Sequence, residues 1–252
     1  MKKIILLLLS CICLSGQAQG FSNEEFLKYR VHYGILNAGF ASLKVKETTY
    51  NARPHWHIVG KGSSSGAVRV FFKVEDRYET FIDKQSYKPS KFIRNINEGG
   101  YTKNKVLKFD HSKKYVYEHN LENGKKTTYS YNTEIQDMLS AFYYLRTIAN
   151  TEFTEGSTKN INVFMDGQIY PFKLKVLGRE SIKSKFGSIK CIKMRPYVQS
   201  GRVFKEQESV TIWVSDDTNL IPILLQAELA VGSLKMSLYE YKNIKTPLAF
   251  KK

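Results

Sequence analysis

The sequence predicts a mainly β protein: a large curved antiparallel sheet, or an open or closed β-barrel, with one α-helix inserted from about Glu134 to Ala149. Three observations carry this. Stretches that alternate apolar and polar residues, as half-buried strands do, recur along most of the chain. Asn123-Gly124 lies between two such stretches, and Asn-Gly is the strongest short hairpin signal. In one segment the period changes: Ile135, Met138, Leu139, Phe142 and Leu145 recur at helical spacing.

The chain starts Met1-Lys2-Lys3, runs apolar from Ile4 to Leu9, and leaves through Ser15-Gly16-Gln17-Ala18. A basic start, a short greasy run and a small-residue exit form a secretory signal peptide, residues 1–18, cut after Ala18. The run is too short to span a bilayer. The expected location is the periplasm. Secretion is an alternative, as is lipid anchoring through Cys11, because Leu8-Leu9-Ser10-Cys11 resembles a lipobox. Export removes ATP-, NAD- and chromosome-dependent roles, and nucleic acid as a partner.

Residues 19–252 read as a single β-rich domain, with no Pro- or Gly-rich linker to divide them. Strands are expected at 27–33, 40–48, 56–60, 68–82, 92–97, 106–110, 115–119 and 126–131. Gly60, Gly62 and Gly66, with three serines between, suggest a mobile loop at a sheet rim; the segment lacks the Gly-Lys-Ser/Thr of a phosphate cradle. The helix follows, with Thr133 as its cap, Gln136 completing a capping box, and Asn150 near its end. Strands resume at 162–165 and 169–177 around Asp166-Gly167, at 181–183 and 189–194 around Phe186-Gly187, and at 210–215, 223–229 and 234–241. Patterning does not fix closure, so a β-sandwich stays open as an architecture.

Composition narrows the chemistry. Of three cysteines, Cys11 and Cys13 lie in the leader, so Cys191 has no intramolecular disulfide partner. It falls in an alternating stretch and reads as a small buried hydrophobe. The net charge is +16, and loss of Lys2 and Lys3 leaves +14. That charge attracts anionic membranes and acidic polysaccharides, although lysines this dispersed also keep a β protein soluble and guard its edges.

A family resemblance emerges from an ordered set of motifs. Tyr29-x-Val31-x-Tyr33-Gly34 precedes Ala38-Gly39; Asp76-x-Tyr78 and Asp83 precede Pro89-x-x-Phe92-x-Arg94. Gln136-Asp137-x-Leu139-Ser140-x-x-Tyr143-x-Leu145-Arg146 is followed much later by Trp213-Val214-Ser215-Asp216-Asp217 and Ile221-Pro222. Together, from about Glu25 to Tyr241, these resemble the bacterial domain of unknown function 3108. The resemblance implies an exported β-rich domain and transfers no catalytic residue.

Arg146 shares the apolar helical face with Ile135, Met138, Leu139 and Phe142. A guanidinium aimed at a core needs acceptors. One reading is a buried clasp to Asp76, Asp83 or Asp216; the other is an anion-binding group at a pocket base. Arg94, Arg146, Trp213, Tyr143 and Asp76 are the expected ligand-binding residues. Ser140 lacks a Gly-x-Ser-x-Gly elbow. His55 and His57 would share one strand face but have no evident third metal ligand, so no metal or cofactor is expected. Asp76 facing Asp216 across a cleft would suit glycoside hydrolysis, although Asp216-Asp217-Thr218-Asn219 reads better as a turn. The chain carries 16 tyrosines and 15 phenylalanines, enough for a packed core or an apolar cavity wall.

Three functions fit. The leading one is a binding module for a lipid-like or anionic envelope molecule, with peripheral membrane contact as a further expectation. The others are a polysaccharide-acting lyase or hydrolase, and a non-catalytic partner in an outer-membrane assembly.

Overall fold

The computed structural model describes residues 20–197 and 210–251. The leader, with Cys11, lies outside them. Among the described residues, fourteen strands form one antiparallel sheet. In chain order they are β1 (Phe26–Tyr33), β2 (Leu36–Tyr50), β3 (Arg53–Ser64), β4 (Val74–Asp83), β5 (Pro89–Glu98), β6 (Tyr101–Asp110), β7 (Tyr115–Asn120) and β8 (Lys126–Ser130). Then come β9 (Thr158–Met165), β10 (Gln168–Ser184), β11 (Gly187–Tyr197), β12 (Val210–Ser215), β13 (Pro222–Glu228) and β14 (Ser233–Lys242). The sheet order is 8-7-6-5-4-3-2-1-14-13-12-11-10-9. Neighbours in sequence are neighbours in space except at the centre, where β1 pairs with β14 from Phe26↔Lys242 to Tyr33↔Leu234.

The sheet is open, with β8 and β9 as its edges. The edges are drawn together without a β8–β9 ladder. The strap after β8 does part of this: Gln136 N–H donates to Asn162 O and Phe164 N–H to Gln136 O, each at 2.8 Å. Phe109, Tyr131, Ile135 and Phe164 pack into one cluster that spans the gap. Asp166, in the β9–β10 turn, accepts from Lys103 at 2.9 Å and from Arg94 at 3.2 Å. Side chains and a strap therefore do what backbone pairing would do in a closed barrel.

Two expected elements differ. The helix is α2 (Met138–Leu145), eight residues long, because residues 134–136 are held by β9. Its cap is Asp137, whose carboxylate accepts from the amides of Leu139 and Ser140, and Ser140 completes the capping box in place of Thr133 and Gln136. Arg146 ends it, and Asn150 opens a short 3-10 turn. The expected strand at 68–82 is two elements: α1 (Gly66–Phe71), one short helix, and then β4. Phe71 is therefore helical and 89% exposed, and the Ser-rich stretch before it is the end of β3.

Gly60 lies where β3 meets α2. A Cβ there would lie 3.4 Å from the Leu139 and Leu43 side chains, so α2 packs directly over this position of the sheet. Both faces of β11 are covered, with Ile189 and Cys191 in one apolar cluster and Ile192 and Met194 in another.

Candidate functional site

Arg146 is among the largest fully buried side chains. It is 1% exposed. Its Nη1 donates to Glu25 Oε1 at 2.6 Å and Nη2 to Glu25 Oε2 at 2.8 Å, a bidentate pair. Nε donates to Asn219 O at 2.8 Å and Nη2 to Gly20 O at 2.7 Å. The rings of Tyr143 and Phe21 lie 5.2 and 5.6 Å from its guanidinium carbon. Burial opposes the charge, but Glu25 outweighs it and holds the Arg146 pKa above its ordinary value. The clasp therefore closes on Glu25 rather than Asp76, Asp83 or Asp216. Tyr143 is fully buried beside it, and burial raises its phenol pKa.

Arg94 and Asp76 come together elsewhere, in a polar cluster on β4, β5 and β6. Arg94 faces Tyr78 across the β4–β5 ladder and Lys105 across β5–β6. Burial first, then Glu98, pushes the Asp76 carboxyl up to about 6; the Asn97 amide and Arg94 act in the opposite direction. Burial also raises the Tyr78 phenol. Lys105 bonds Glu118 at 2.9 Å. Arg94 Nε and Glu118 Oε2 are buried without a hydrogen-bond partner among the described residues. Asp216 is held apart from this cluster by Arg179 and Asn150.

Trp213 is 7% exposed, packs with Cys191, and donates its indole N–H to Glu180 at 2.5 Å. Burial pushes the Cys191 thiol up to about 12, which keeps it unreactive. His55 bonds Ser90 and His57 bonds Glu79. Among the described residues no group of three His, Cys, Asp or Glu side chains could hold a metal ion.

A further concavity lies away from the five expected residues. An open groove of about 570 Å³ runs along β14 and β1, between the tip of the β10–β11 hairpin and the first turn. Its accessible apolar side chains are Ile35, Ile182 and Leu224, over the core residues Ile223 and Leu238; its charges are Arg30, Lys183, Lys185 and Lys235, with no carboxylate in the lining. Phe186 anchors the hairpin tip against Tyr241 and Phe250, with ring centres 5.1 and 5.4 Å away. The ring of Tyr239 holds Lys185 Nζ at 3.8 Å and the Arg30 guanidinium at 4.3 Å. Glu240, whose field reaches Lys28 and Lys185, is itself tied to Lys242 at 2.9 Å. Arg30 Nε is buried without a hydrogen-bond partner among the described residues. A signal for this face stood in the sequence: the polar positions of β1 are Lys28, Arg30 and His32, all basic. What could not be read was that a distant hairpin would wall the groove.

Fold and groove together define a barrel-like β protein with a cationic, apolar-walled cleft. The chain belongs to the family described as "Protein of unknown function (DUF3108)", whose model matches residues 28–239. Among solved structures, a β-barrel-like protein of domain of unknown function DUF1849 from Brucella abortus is similar at TM-score 0.59 and 8% identity, covering 88% of this chain and 98% of that one. A protein from Bacteroides fragilis described as exported, with a YmcC-like fold, aligns at 8% identity over 88% and 97% of the two chains; its TM-score of 0.33 carries no weight. No curated protein matches the chain. These likenesses speak to the fold alone.

Proposed function

We propose that this is an exported binding module that takes a lipid-like anion into the groove along β14 and β1. One observation carries the reading: four permanent cations and a wall of aliphatic side chains line one groove that contains no carboxylate. An anionic head would replace the aromatic faces now holding Arg30 and Lys185, and an acyl chain would lie along Ile35, Ile182 and Leu224. The volume of about 570 Å³ is in the range of ligand clefts.

Dansylundecanoic acid, a fluorescent anionic amphiphile, tests this. Its emission is expected to rise on binding, palmitic acid to displace it, and hexadecanol to displace it poorly. Arg30→Glu with Lys185→Glu is expected to weaken binding at least ten-fold, about 1.4 kcal/mol. Absence of binding, or equal binding by a variant of unchanged thermal stability, overturns the proposal.

The Asp76 carboxyl supports a second reading, because a group with a pKa of about 6 beside Tyr78 and Arg94 suits general acid–base work. On that reading the protein cleaves an envelope polysaccharide, and Asp76→Asn abolishes the release of new chain ends. Wild-type protein that releases none from a panel of such polysaccharides removes it.

A further inference from the structure

The two ends of the sheet differ in what their turns expose. The register places the β1–β2, β5–β6, β7–β8 and β13–β14 turns, with the α1 connection, at one end. Each of these connections displays large apolar side chains; the β9–β10 turn, at the same end, carries Asp166 and Gly167 instead. Ile35 is 97% exposed in the first, Val70 80% and Phe71 89% on α1, and Val231 76% in the last. Tyr101 and Leu121, at the other two, are also exposed. At the opposite end the β2–β3, β4–β5, β6–β7, β10–β11 and β12–β13 connections present far less: beside them only Tyr115, the first residue of β7, is an exposed large apolar side chain among the described residues, at 39%. Scattered apolar residues are ordinary on a surface; a concentration of the most exposed ones, Ile35, Phe71, Val70 and Val231, at one end is not.

We infer that this rim docks on an anionic lipid bilayer. The spacing of the apolar tips favours a bilayer over a protein. They stand on separate connections around the rim rather than forming one face, and a fluid interface accepts each tip where a folded partner would need a matching socket for each. Charge agrees: the chain carries +16, and such a surface is drawn to anionic headgroups. Basic residues flank the tips, with Arg69 and Lys73 at α1 and Lys125 and Lys126 beside Leu121. Arg69 and Lys73 share Glu75, so two cations meet one carboxylate there. The groove also ends at this rim, since Gly34 and Ile35 belong to its lining. A bilayer at the rim would sit at the groove mouth. The docking does not depend on the groove being occupied.

Sedimentation with vesicles tests it. Full-length mature protein is expected to pellet with equimolar phosphatidylglycerol–phosphatidylethanolamine vesicles, and at least ten-fold more weakly with phosphatidylcholine vesicles. Val70→Ser with Phe71→Ser and Val231→Ser removes three exposed tips outside the groove lining and is expected to cut vesicle affinity at least ten-fold. The same variant is expected to bind dansylundecanoic acid in vesicle-free solution as the wild type does, which separates docking from the groove. Wild-type protein that stays in the supernatant, or a triple variant that pellets equally, overturns the inference. So does a wild-type dimer that the triple variant dissolves without any vesicle binding, because the rim would then be a contact between copies of this chain.

Discussion

Arg146 shows how one side chain can bind the start of the chain to its middle. Its guanidinium is 1% exposed, yet four of its donor contacts are met, two by Glu25 and two by the carbonyls of Gly20 and Asn219. Gly20 fits only as glycine, since a Cβ there would run into the Arg146 and Thr218 carbonyls. A buried pair of this kind is weak evidence of net stability, but breaking it is costly because the survivor keeps an uncompensated charge. Glu25→Gln and Arg146→Met are each expected to lose about 3–5 kcal/mol of unfolding free energy in urea. Glu25→Gln with Arg146→Met is expected to lose less than the two single losses combined, because no charge stays behind. Additive losses would mean that the pair does not act as a unit.

At the level of elements, α2 depends on a carboxylate that is fully buried. Burial is the largest influence on Asp137 and pushes its pKa up to about 6, against the hydrogen bonds from Thr80, Ser140 and Leu139. The folded state therefore holds this proton more tightly than the unfolded chain, in which an aspartate titrates near about 3.9. Stability from this group is fullest below about pH 4 and falls as pH rises to about 6. Asp137→Asn keeps an acceptor for the cap and an amide for Thr80, and it cannot titrate. Its urea midpoint relative to wild type is expected to rise between pH 4 and pH 7; a constant difference would refute the shift. The helix also shows what the sequence could tell. Strand alternation and Asn-Gly placed the hairpins, since each is a local signal. The periodicity from Ile135 to Leu145 overshot because Ile135 and Gln136 are claimed by β9, a contact local pattern does not record. In the same way an apolar–aromatic run hid α1, whose Val70 and Phe71 face outward. The charge of Arg146 demanded a carboxylate, but only the fold could choose Glu25.

At the scale of the whole molecule, the open question is how a fourteen-stranded sheet with two free edges keeps a barrel-like shape. Backbone pairing supplies curvature and no closure. The closing contacts are the strap at Gln136, the cluster around Phe164, and the meeting of Asp166 with Arg94, Lys103 and Lys105. Burial would raise the Asp166 pKa, but these cations outweigh it and hold it below the ordinary value of 3.8. A group depressed in this way contributes stability at neutral pH and loses it as pH falls through its folded pKa. The side chains are partly exposed, so solvent screening limits the contribution of each pair, although three cations converging on one carboxylate make a network rather than an isolated pair. Asp166→Asn leaves those three cations facing one another. It is expected to cost about 1 kcal/mol in urea unfolding at pH 7, a typical value for such a network. The more telling readout is local. Amide hydrogen exchange is expected to quicken in β8 and β9, where the seam lies, and to stay unchanged in β1 and β14, at the centre of the sheet. Uniform quickening would mean that Asp166 supports the whole core. No change in β8 or β9 would assign closure to the strap and the Phe164 cluster alone.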